Sequence, residues 1–152
     1  MSTETQPSRR EIILQRIATI LSGLGPTFLH NSADIVESRL PYIVLLDGDE
    51  DVMHGSEVFE KGRRATMPTK MLLQPEVWIV EKEGQEKPGT LLNAWRDEIL
   101  RALFTDSTLL SLIYNQDIRY EGCATAFRAG RKLTGEMGIN LALVYIHRYN
   151  LD

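Results

Sequence analysis

Four carboxylates fall within five residues at Asp47-Gly48-Asp49-Glu50-Asp51. Clustered carboxylates suit hard cations such as calcium and magnesium. A helix-flanked calcium loop needs glycine at its sixth position and glutamate at its twelfth. Counted from Asp47, those positions hold Val52 and Val58, and the run follows an expected strand rather than a helix. A solvated turn is the simpler reading. The one metal reading that remains is a weak magnesium contact through Asp47, Asp49 and Asp51 where subunits meet.

The other reactive residue types are scattered. His30, His54 and His147 lie far apart, with no HxxxH, HExxH or CxxC spacing for zinc. No GxSxG elbow, GxxxxGKS/T loop or GxGxxG turn occurs, so neither a serine nucleophile nor a phosphate cradle is proposed. Cys123, the single cysteine, falls in an expected strand and reads as a small packed side chain. The expectation is a protein that is not an enzyme and holds no cofactor. Basic residues cluster at Arg128-Ala129-Gly130-Arg131-Lys132, which is either a solvated hairpin loop or a positive tip for phosphates or an acidic surface. It contains no aromatic residue for base stacking, so any nucleic-acid contact would be to the backbone and independent of sequence.

The elements that must position these residues follow from hydrophobic period. Ser8, with Glu11 three residues on, caps a helix expected over 9–24. Its stripe is Ile13, Ile17, Ile20, Leu21 and Leu24, and Gly23, Gly25 and Pro26 stop it. A first strand is expected over 42–46, then a polar stretch over 47–68 that contains Arg63 and Arg64 and forms a projecting loop or a long hairpin. The second strand, 69–81, places Met71, Leu73, Val77 and Ile79 on one face and Trp78 on the other. Pro75 inside it calls for a bulge or an edge position. Thr90 is expected to cap a second helix over 91–104, with the stripe Leu92, Trp95, Ile99 and Leu103. One or two further helical turns are expected over 107–113. Strands are then expected over 118–127 and 139–149.

The last strand is apolar on both faces: Ile139, Leu141, Leu143 and Tyr145 alternate with Ala142, Val144 and Ile146. Such a strand must be covered on both sides, by a second layer or by another subunit. Trp78, Val144, Ile146, His147 and Arg148 are therefore the interface candidates. The order helix-strand-strand-helix-strand-strand predicts an α+β fold, a four-stranded, mostly antiparallel sheet with two main helices on one face.

A chain of 152 residues is one domain's worth, expected as a disordered lead-in over 1–8 and a single domain over 9–152. A formal net charge of -4 argues against a general nucleic-acid binder. No apolar run is long enough for a membrane helix, and the polar start does not read as a signal peptide, so a cytosolic compartment is expected.

Element order, the closing run from Gly138 through Ile139, Leu141 and Leu143 to Ile146, and the first strand Pro41-Tyr42-Ile43-Val44-Leu45-Leu46 together resemble the small tail-terminator and tail-completion proteins of long-tailed bacteriophages. Neck and minor tail proteins share that architecture. The resemblance spans roughly 9–149. It implies a non-enzymatic virion protein, assembled in the host cytoplasm, that forms a ring, commonly a hexamer, capping the tail tube and offering a head-joining surface. Its partners would be copies of itself, the tail tube protein and the head–tail connector or neck protein. Loops bearing Arg63, Arg64, Arg128, Arg131 and Lys132 would meet the tube, the connector or passing DNA. A small α+β module binding a cytosolic ligand or partner is the alternative expectation.

Overall fold

Ser8 opens the first helix as its spacing requires: its hydroxyl accepts from the Glu11 amide at 3.2 Å. The computed structural model describes residues 7–29, 41–53, 68–82, 87–128 and 134–148. Helix α1 spans Arg9–Ser22 and buries Ile13, Leu14, Ile17 and Leu21. Strand β1 (Thr27–Leu29) follows, then β2 (Tyr42–Val52) and β3 (Pro68–Lys82). Helix α2 is Pro88–Phe104 and α3 is Ser107–Leu112, followed by a 3-10 turn, Tyr114–Gln116. Strands β4 (Ile118–Arg128) and β5 (Thr134–Arg148) complete the order.

The α+β class holds, with five strands rather than four. The strand order is β1-β2-β3-β5-β4, all neighbours antiparallel except β1 and β2. The three-residue β1 is too short to show a period of its own; it is recruited by the parallel edge of β2. Other boundaries also move. Pro88 sits in the first turn of α2, where its missing N–H costs nothing, so Lys87 rather than Thr90 precedes the helix. β2 continues through the acidic run to Val52, and β5 begins five residues earlier than expected, because ladder pairing sustains both beyond their apolar stretches. Residues 54–67, with Arg63 and Arg64, lie outside the described residues, as do most of the lead-in (1–6), His30 and His54.

Strand parity divides the core. Ile43, Leu45, Leu73, Val77, Ile79, Ile139, Leu141 and Leu143 face the helices and form one cluster with Ile13, Ile17, Leu21, Leu92, Ile99 and Leu103. The opposite parity carries a smaller cluster, Tyr42, Val44 and Val80, with Phe28, Leu46 and Trp78 against it. Among the described residues no helix lies on that second face.

Pro75 is in a central strand after all, buried between β2 and β5. It offers no N–H to a neighbour. The β2–β3 register passes from Leu46↔Glu76 to Asp49↔Gln74, so Asp47 and Gly48 together stand opposite Pro75. This two-against-one arrangement is a β-bulge. Gly48 holds it with φ +73, and a Cβ there would strike the Gln74 carbonyl. At the helical layer, Arg16 forms a paired hydrogen-bonded contact with Asp106 (3.1 and 2.7 Å). Asp106 also caps α3 through the Leu109 amide at 2.7 Å.

Two predictions follow from these contacts. Gly48→Ala combines a left-handed backbone with a steric clash and should cost about 2 kcal/mol or more in urea denaturation, without altering a distant exposed position used as control. Arg16, then the Leu109 amide, hold the Asp106 carboxyl below its ordinary range. The unfolded chain therefore takes up the proton first, so this stabilisation is complete above the ordinary carboxylate pKa and fades as pH falls through the lower folded value. Asp106→Ala should lower stability by about 1 kcal/mol at neutral pH through the lost cap. The charge-dependent part of the gap between wild type and variant should shrink in the same measurement repeated below about pH 4.

Candidate functional site

The bulge at Asp47-Gly48 has a counterpart across the sheet. The β4–β5 register shifts between Tyr120↔Leu141 and Gly122↔Asn140, leaving Glu121 as the extra residue. The β3–β5 register runs unbroken through Leu73↔Leu143 and Glu76↔Asn140, which sets Pro75 opposite Leu141. Both bulges therefore lie on one level of the sheet. Their strands part from the regular pleat there and open a cleft of about 600 Å³.

Asp47, Asp49, Glu76 and Glu121 line this cleft with the amides Gln74 and Asn140, and Leu46 supplies apolar wall. Glu76 and Asn140 are cross-strand partners, each with the parity of the face away from the helices. The Glu76 carboxylate lies over the Cα of Gly138, occupying the place a Cβ would take. Gly138 thus lets a charged group lie flat on the sheet beside Trp78. Four carboxylates make the cleft a receptor for positive charge, either a cation or Lys and Arg side chains. Among the described residues, no group of three His, Cys, Asp or Glu side chains is arranged to hold a metal ion.

Of the expected acidic trio, Asp47 and Asp49 reach the cleft, whereas Asp51 pairs with Leu72 farther along the ladder and is exposed. Glu50 has the opposite parity, since the bulge has shifted the phase of β2, and accepts a hydrogen bond from the buried Tyr145 hydroxyl. Arg10 stands 3.7 Å from Glu50 and donates to the Gly48 carbonyl at 3.2 Å, tying α1 to the bulge. Glu76, Glu121, Gln74 and Asn140 were not singled out from sequence. Only the register brings them together.

The interface candidates separate. Trp78 lies on the face away from the helices, half-buried. Val144 is 2% exposed and Ala142 1% within the single chain. Both faces of β5 are therefore filled at these positions without a partner, correcting the expectation that Val144 awaits a neighbouring subunit; an Asp there would bury a charge in the fold itself. The Asp117 main-chain carbonyl accepts from the Val144 amide at 3.1 Å, and on that side Lys70, opposite Ile146 in register, places its ammonium 4.2 Å from the Tyr114 ring centre. Ile146 and His147 are half-buried and line a second cleft with Ile12, Leu112 and Tyr114. Arg128 and Arg148 end their strands; Arg131 and Lys132 lie outside the described residues.

The Tyr42 hydroxyl is buried with no hydrogen-bond partner among the described residues, and desolvation, with the nearby Glu136 charge, raises its pKa. Its ring meets Phe28 edge-on at 6.0 Å. Cys123 is exposed rather than packed, because β4 is an edge strand and nothing described covers it. Tyr120, hydrogen-bonded to Cys123, has its phenol pKa raised by that contact first and by burial second.

No family model matches the chain, and no curated protein matches its sequence.

Gly138→Ala should push the Glu76 carboxylate off the sheet and destabilise the fold by about 1–3 kcal/mol. In a double-mutant cycle, adding Glu76→Ala should recover most of that loss. Additive losses in chemical denaturation would mean that the two positions are not coupled.

Proposed function

We propose that this chain is a structural subunit of a long-tailed bacteriophage tail, of the tail-terminator or tail-completion type. It forms a ring on the tail tube, ends tube polymerisation and offers the surface to which the head side attaches. The observation that carries the reading is the acidic cleft on the sheet face away from the helices, set against the basic run 128–132 in the same chain. A cyclic ring is built from two different patches per subunit, one meeting the other on the next copy. Opposite charge on two segments of one chain suits that head-to-tail contact. It also orders copies in one direction, because acidic against acidic is repulsive.

In this reading the ring contacts are mainly electrostatic, which leaves Arg63 and Arg64 for the tube, the connector or the backbone of passing DNA. The cleft's fixed carboxylates take part by binding a neighbour's cations, not by acid–base catalysis.

Light scattering and negative-stain electron microscopy of the purified chain test this. At low ionic strength the expected species is a ring of about six 17.3 kDa subunits, and raising salt toward 1 M, where screening reaches within a few ångströms, should disperse it. A chain that never exceeds a dimer, with or without magnesium or purified tube protein, would overturn the proposal.

A further inference from the structure

Strand β4 is eleven residues long and ends the sheet, so one whole side of its backbone has no strand beside it among the described residues. It is also exposed on both faces. From Arg119 to Phe127 every side chain is open to solvent, glycine aside, and Phe127 is 50% exposed. Edge strands of this length are normally blunted by inward charges, by proline or by a covering segment, because their free N–H and C=O groups template another strand. The central run of β4, Gly122-Cys123-Ala124-Thr125-Ala126-Phe127, has no charge and no proline. The bulge before it, where Gly122 has φ +114, leaves the rest of the strand straight enough to pair with β5 down to Arg128↔Thr134. By these criteria the edge is built to be occupied.

Charge identifies the occupant. The uncharged run is bounded by Glu121 at one end and Arg128 at the other. Laid antiparallel against the same run of another molecule, the acidic end of each falls beside the basic end of its partner, twice. Laid parallel, like charges meet. We propose that β4 is a self-recognition edge, pairing antiparallel with β4 of a second copy about a two-fold axis and joining two five-stranded sheets into one.

Strand parity limits the register, since directly opposed residues must share a face. Registers with Ala124 or with Thr125 on the axis satisfy this, and both set Glu121 within one residue of the partner's Arg128. Strand rise and spacing then put the two Cys123 Cα atoms about 8–14 Å apart. This contact is isologous, unlike the head-to-tail ring contact proposed above, and it shares Glu121 and Arg128 with that contact, so Thr125→Lys is the variant that separates the two.

Sedimentation equilibrium on the full chain, with a nitroxide label on its only cysteine, tests the pairing. The expected result is a dimer whose short inter-label distance fits that Cα range. Thr125→Lys, at an exposed position, should give a folded monomer by circular dichroism. Glu121→Arg should weaken the dimer roughly tenfold, and adding Arg128→Glu should restore it. Association that ignores Thr125→Lys, or a charge swap that fails to rescue, overturns the inference and leaves the ring reading standing. A dimer that obeys both, with no larger species, supports the inference and counts against the ring. A chain monomeric up to millimolar concentration overturns it too, leaving the edge to an extended segment of another protein.

Discussion

The unbroken antiparallel pairing of β3 with β5 is the constraint on which the rest of this structure depends. Each is fifteen residues long, and their register holds from Pro68↔Arg148 to Lys82↔Thr134 without a shift. A ladder of that length fixes the parity of every residue on both strands, and parity decides which side chains meet the helices. A slip of one residue would turn Leu73, Val77, Ile139 and Leu143 away from α1 and α2. Their burial to zero exposure on the helical side makes such a slip prohibitive.

The irregularities of the outer strands are consequences of that straight centre. Pro75 cannot donate to β2, and β2 answers with two residues, Asp47 and Gly48, where one would otherwise stand. On the far side β4 inserts Glu121 at the same level. The bulges bend their own strands and leave the central pair undisturbed, so the acidic cleft lies where the regular pleat is interrupted on both flanks. Arg10, Glu50 and Tyr145 then tie the bulged part of β2 to the first helix and to β5. The cleft is thereby anchored to the core.

Apolar surface is distributed unevenly. The helices fill one face of the sheet, and the other face is closed at Tyr42, Val44, Val80, Ala142 and Val144 within the single chain. Openness is concentrated at the far edge, along β4. An edge offers backbone hydrogen bonds, which are indifferent to side-chain identity, and the uncharged run of β4 lies between Glu121 and Arg128. A charged cleft and an edge that no described strand covers are different kinds of surface. Attraction to charge, as in the first, is screened by salt, whereas backbone hydrogen bonding, as at the second, does not depend on charge.

The α+β class, the first helix with its Ser8 cap, the core stripe of the second helix and the opposition of Trp78 to Val77 and Ile79 were all legible in the sequence, because each depends on residues a few positions apart. Pro75 announced a disturbance but not which strand would absorb it. β1 was not legible, since three residues carry no period and exist as a strand only because β2 lies alongside. The covered second face of Val144 and the exposure of Cys123 were misjudged for the same reason: apolar character shows that a residue can be buried, but only strand order shows what lies beside it. β5 is internal and β4 is an edge, and nothing in their local patterns distinguishes the two positions. The cleft was half legible. Asp47 and Asp49 stood out as neighbours in the chain, while Glu76, Glu121 and Asn140 joined them only through a register set by long-range pairing.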